Sequence, residues 1–136
     1  MKIVICGSMS ACKHMVEVEE KLVALGHEVV LPENTKEYAN GELKGETSHE
    51  STKNKIDNDL IRSYFHEIKN CDVVLIVNCD KNNIQNYIGG NAFLEMGFAY
   101  VLNKPIYLLN SIPEMLYTDE IKAVEPIVLN GDLSKI

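Results

Sequence analysis

Glu95 is the only charged side chain in the run Gly89-Gly-Asn-Ala-Phe-Leu-Glu-Met-Gly-Phe-Ala-Tyr100, which makes it the first residue to consider for chemistry. On a helix it shares a face with Asn91, Phe98, Ala99 and Leu102. A carboxylate set in an apolar helix is costly unless its charge is compensated. Two arrangements satisfy that requirement. The dipole at the first turns of the helix can keep the carboxylate ionised and nucleophilic, or a neighbouring backbone group or hydroxyl can bind it in a purely structural role.

Other polar residues stand where apolar runs end. Gly7-Ser8 closes the run Lys2-Ile-Val-Ile-Cys6, and a turn there leading into a helix aims backbone N–H groups and a hydroxyl at an anion such as phosphate; a bare turn is the plain alternative. Lys13 and His14 either add positive charge to that turn or are simply solvated. Asn78 and Asp80 follow the run Val73–Val77, and Asn110 follows Leu109. Each asparagine either reaches a ligand or satisfies backbone groups at the strand end. The four cysteines (Cys6, Cys12, Cys71, Cys79) lack C-x-x-C spacing, and no histidine pair has metal-ligand spacing. We therefore expect reduced thiols, with Cys12 in a loop, and neither a metal nor an organic cofactor.

The elements that must position these groups follow from the hydrophobic periods. Lys2–Cys6 reads as a buried strand, and Met15, Val18, Leu22 and Leu25 form one stripe of a helix stopped by Gly26. His27–Leu31 is a second strand. Residues Pro32 to Thr52 are polar and aperiodic and read as a long surface loop, of the kind that is either a functional lid or disordered. A helix over Lys55–Asn70 turns Ile56, Leu60, Ile61, Tyr64 and Ile68 inward. Asp72–Asn78 reads as a central parallel strand covered on both faces. A helix over Asn91–Leu102, a strand Pro105–Leu109, a short helix Asp119–Val124 and a strand Pro126–Leu129 complete the chain.

Strands alternating with helices predict an α/β fold, a doubly wound, flavodoxin-like or Rossmann-like five-stranded parallel sheet in the order 2-1-3-4-5. In such sheets ligands bind beyond the carboxyl ends of the strands, where the strand order reverses. That edge collects Gly7, Ser8, Asp57, Asp59, Asn78, Asp80, the stretch Gly89 to Glu95 with Gly90 and Asn91, and Asn110. Asp72 begins its strand, about 20 Å away at ~3.3 Å per residue, and is expected to be structural.

Composition narrows the partners. A chain of 136 residues with 46% hydrophobic and 24% charged residues suits a single domain spanning residues 1–136 with a core of its own. The net charge is −7, and no basic run is present to follow a phosphate backbone, which argues against long nucleic acid as a partner. No apolar stretch is long enough for a membrane span and no signal-peptide pattern is seen, which leads us to expect a cytoplasmic protein.

Four segments resemble the nucleoside 2-deoxyribosyltransferase superfamily, which includes the deoxyribosyltransferases and the nucleoside 5′-monophosphate N-glycosidases. Cys6-Gly7-Ser8 resembles the first-strand turn that binds the 5′-phosphate, and Asp59-Leu60, after Asp57-Asn58, resembles the D-L pair whose aspartate lies beside sugar and base. Cys71-Asp-Val-Val resembles the central strand, and Glu95-Met-Gly-Phe-Ala resembles the E-x-G-x-A segment of the nucleophilic glutamate. The resemblance spans roughly residues 2 to 110. The chain departs from it at Val4 and Ile5, where an aromatic residue usually precedes the glycine, and at Gly89-Gly90-Asn91, a glycine pair faintly similar to the cytokinin-activating phosphoribohydrolases.

The resemblance implies that Glu95 attacks the anomeric carbon to form a covalent glycosyl-enzyme. It implies that Asp59, or else Asp57 or Asp80, serves the departing base. Ser8 and Gly7 would hold a 5′-phosphate, and Gly90 and Asn91 would line the sugar. The ligand is then a small-molecule nucleoside or nucleotide, and the protein is expected to be a homodimer or larger homo-oligomer. The competing reading is a non-catalytic nucleotide-binding or sensing module on the same fold. A receiver domain is disfavoured because Cys6-Gly7-Ser8-Met9 carries no carboxylate.

Overall fold

The computed structural model describes residues 1–45 and 48–136. In β1 (Lys2–Cys6) the residues Ile3 to Cys6 are all buried, as a strand covered on both faces requires. With β2 (Glu28–Val30), β3 (Val73–Ile76), β4 (Ile106–Leu108) and β5 (Ile127–Val128) it forms a five-stranded sheet in the order β2-β1-β3-β4-β5. Every pairing is parallel, and Ile3 lies opposite Val73. This is the predicted α/β topology.

Because strand side chains alternate between faces, the sheet builds two cores. Val4, Cys6, Val74, Ile76 and Leu108 face α4 (Leu60–Lys69), α5 (Gly90–Val101) and α6 (Thr118–Ala123). Ile3, Ile5, Val73, Leu75 and Val77 face α1 (Cys12–Ala24) through its stripe of Met15, Val18 and Leu22. Gly26 ends α1 as expected: at φ +93° its N–H reaches Val23 O, and the His27 N–H reaches Leu22 O at 3.1 Å. These are the two bonds that satisfy carbonyls left over at a helix end. Asp72 sits at the opposite edge from the carboxyl ends of the strands and accepts from the Lys2 N–H at 2.7 Å, the structural role expected of it.

Two elements differ from the sequence reading. The stretch from Pro32 to Thr52 is not one loop: it contains α2 (Thr35–Ala39) and the start of α3 (Ser48–Asp57), while Glu46 and Thr47 lie outside the described residues. The helix α2 is a single short turn set against α1, where Lys36 pairs with Glu19 at 3.0 Å, and a segment so short shows no period. The predicted helix over Lys55–Asn70 is broken in two. Asp59 takes the left-handed conformation, φ +48°, so the helical phase is not carried from α3 into α4. Ile56 and Ile61 are accordingly 73% and 41% exposed rather than buried, whereas Ile68 is fully buried. Among the described residues, no helix is long and apolar enough to cross a membrane.

Candidate functional site

A cleft of about 720 Å³ opens at the carboxyl edge of β1 and β3, where the strand order reverses and within the usual size of a small-molecule site. The turn Gly7-Ser8-Met9 forms one wall. The start of α5, from Gly89 to Ala92, forms a second, and Tyr38, Ser51, Asn54 and Lys55 close over it from α2 and α3.

Glu95 lines the inner end of this cleft. It is only 7% exposed, and among the described residues it is the one buried charged side chain. Loss of water pushes its carboxyl up to about 8, against the pull of a hydrogen bond with the Cys6 side chain and of the Lys55 charge. Burial thus outweighs the helix dipole invoked from sequence; Glu95 lies beyond the first turn of α5, where that field has decayed. The Cys6 thiol is itself raised well above its ordinary range, first by burial and then by the charge of Glu95. Tyr64 packs behind this pair, donating its hydroxyl to Ile5 O, and burial likewise raises it.

No protein-family model matches the sequence, and no curated protein matches it. Among solved structures the chain is similar to the CMP N-glycosidase BcmB of Clostridium botulinum, with a TM-score of 0.53 over 94% of this chain and 85% of that one, at 14% identity. The two chains share one fold.

Within that fold, the cleft brings together six of the residues singled out from sequence: Gly7, Ser8, Gly89, Gly90, Asn91 and Glu95. Cys12 also lines it. Gly7 is required by close packing, because a Cβ there would lie 2.9 Å from Met15 Sδ and 3.1 Å from the Val77 carbonyl oxygen. Gly7→Ala is expected to cost about 1–3 kcal/mol of stability, as overpacking does, and to displace the turn. Urea denaturation of the variant measures it, and an unchanged midpoint would show that the turn has slack.

The other candidates do not line the cleft. Asp59 is exposed at the break between α3 and α4, its carboxylate 3.3 Å from the Arg62 guanidinium, because the left-handed backbone turns it away from the cleft. Asp57 is also exposed. Asn78 and Asn110 bind each other: Asn78 Oδ1 accepts from the Asn110 N–H at 2.9 Å, and the Asn78 amide donates to the carbonyls of Asn110 and Ser111, both at 3.1 Å. These residues join the ends of β3 and β4. Asp80 is exposed and accepts from the Asn86 N–H at 2.8 Å. Lys13 and His14 are exposed as well, with His14 near Glu17 at 3.6 Å.

Lys55, Tyr87 and Lys81 are among the cleft residues that the sequence did not single out. Lys81 carried a usable signal. It precedes Asn82-Asn83, and an Asn pair beyond a strand end marks a two-residue turn with positive φ, here φ 53° and 59°.

Proposed function

We propose that this protein cleaves the N-glycosidic bond of a nucleoside 5′-monophosphate, with Glu95 as nucleophile. The observation that carries this reading is the buried carboxylate of Glu95 at the inner end of a nucleotide-sized cleft whose other wall is the Gly7-Ser8 turn. The fold shared with a CMP N-glycosidase supports it.

In this reading ionised Glu95 attacks the anomeric carbon, the bond to the base breaks and the base departs with its electron pair. Water then attacks the glycosyl ester and frees Glu95. Asp59 does not line the cleft. Lys55, which lines the cleft and acts on Glu95, is the donor we assign to the leaving base. A free base in place of water would make the same intermediate a transferase intermediate.

One observation favours the second reading, a binding or sensing module: a carboxyl at about 8 is protonated at neutral pH and donates a hydrogen bond instead of attacking. Incubation with ribo- and deoxynucleosides and their 5′-monophosphates, with and without added base, separates the two. We expect free base and a sugar 5-phosphate from the monophosphates, seen by chromatography, faster at pH 8.5 than at pH 6.5. Nucleotide binding with no release from any member of the panel would establish the sensing module instead.

A further inference from the structure

Three donors converge on one neutral oxygen in the cleft. Ser8 Oγ accepts from the Lys81 ammonium at 2.8 Å, the Ser10 hydroxyl at 3.0 Å and the Ser10 N–H at 3.4 Å. An ammonium has three protons and a hydroxyl accepts only through its lone pairs, so donors exceed acceptors at this point. The half-buried Lys81 forms no ion pair with a carboxylate among the described residues. Its other neighbour is the ring of Tyr87, 5.8 Å from Nζ to the centroid, a contact that favours a cation without neutralising it. A charge held this way in a net-acidic chain lacks its counter-ion.

The backbone holds Lys81 in place. Its N–H bonds Ile84 O at 3.1 Å and its carbonyl accepts from the Ile84 N–H at 2.9 Å. The intervening Asn82 and Asn83 supply the positive φ that this tight turn needs. Asp80, a candidate ligand from sequence, closes the base of the same loop through its bond to the Asn86 N–H. The ammonium therefore meets Ser8 from a clipped turn rather than from a free surface side chain.

We infer that Lys81 selects the phosphate of the substrate, its ammonium and the Ser8-to-Ser10 turn together holding a phosphomonoester dianion. This rests on the reading of the cleft as a nucleotide site and deepens it by naming the residue, on the loop after β3, that discriminates the monophosphate from the nucleoside. A dianion supplies only acceptors, which is what the surplus of donors requires.

The test is a binding measurement, so that it does not depend on turnover. CMP and cytidine are titrated calorimetrically into wild type, Lys81→Met and Lys81→Arg. The wild type should prefer CMP, and Lys81→Met should cut the CMP-to-cytidine affinity ratio by about 10–100-fold, the range of one charge-assisted hydrogen bond; Lys81→Arg should recover part of it. A wild type with no preference, or a ratio the same in Lys81→Met as in wild type, overturns the assignment. Base release assayed on the same samples separates the two ideas: intact CMP preference without release refutes the glycosidase reading and leaves Lys81 as the phosphate selector.

Discussion

Glu95→Gln is expected to abolish base release, with a loss on the order of 10³-fold or more as for removal of a covalent nucleophile, and at the same time to stabilise the protein at alkaline pH. The activity loss follows because the amide cannot attack carbon. The stability gain follows from linkage. Glu95 has a folded-state carboxyl at about 8 and an unfolded one near ~4.3, so between those values the folded chain holds a proton that the unfolded chain has released.

Stability from this group is fully present below the unfolded value and is lost as pH rises towards 8, at up to about 1.4 kcal/mol per pH unit. Gln is neutral throughout and removes that slope. Urea denaturation at pH 5, 7 and 9 reads it directly: the wild type should weaken with pH relative to Glu95→Gln. Parallel curves would mean that Glu95 is ionised in the folded state at neutral pH. The same titration governs the rate, since attack needs the carboxylate. Wild-type kcat/KM should climb with pH up to about 8 and level off, and a flat profile from pH 6 to 9 would remove Glu95 as the titrating nucleophile.

Asn78→Ala is expected to produce the largest loss of stability away from the cleft, about 2–4 kcal/mol. Asn78 is 1% exposed and its side chain joins three backbone groups at the ends of β3 and β4. Truncation leaves those groups unpaired where water is scarce, and each orphan costs about 1–3 kcal/mol, partly relieved by relaxation. The midpoint of urea unfolding measures it. A loss under about 1 kcal/mol would return Asn78 to the ligand-binding candidates, whereas the expected loss, with nucleotide affinity per folded molecule retained, assigns it to the frame.

Short-range interactions leave a pattern in the sequence, and long-range ones do not. The strand and helix pattern, the sheet order and the stop at Gly26 all follow from local periods and from a handedness rule that leaves few topologies. The position of Glu95 in an apolar helix was equally plain, because a lone charge contradicts its surroundings. The break at Asp59 was not legible: Ile56, Leu60, Ile61 and Ile68 keep an acceptable helical spacing through it, and nothing in that spacing announces one left-handed residue. The break leaves Asp59 exposed beside Arg62 and outside the lining of the cleft.

By itself, then, the sequence determined an α/β chain with a doubly wound parallel sheet, a site at its carboxyl edge and Glu95 as the residue to watch. These rest on patterns a few residues long and on chain connectivity. Tertiary structure alone decided that Cys6 and Lys55 act on Glu95, that burial rather than the helix dipole sets its proton affinity, that Asn78 and Asn110 hold each other, and that Lys81 meets Ser8. Each of these joins groups far apart in the chain, 73 residues in the last case. Burial and hydrogen bonding of that kind are properties of packed surfaces, and they have no period in the sequence to reveal them.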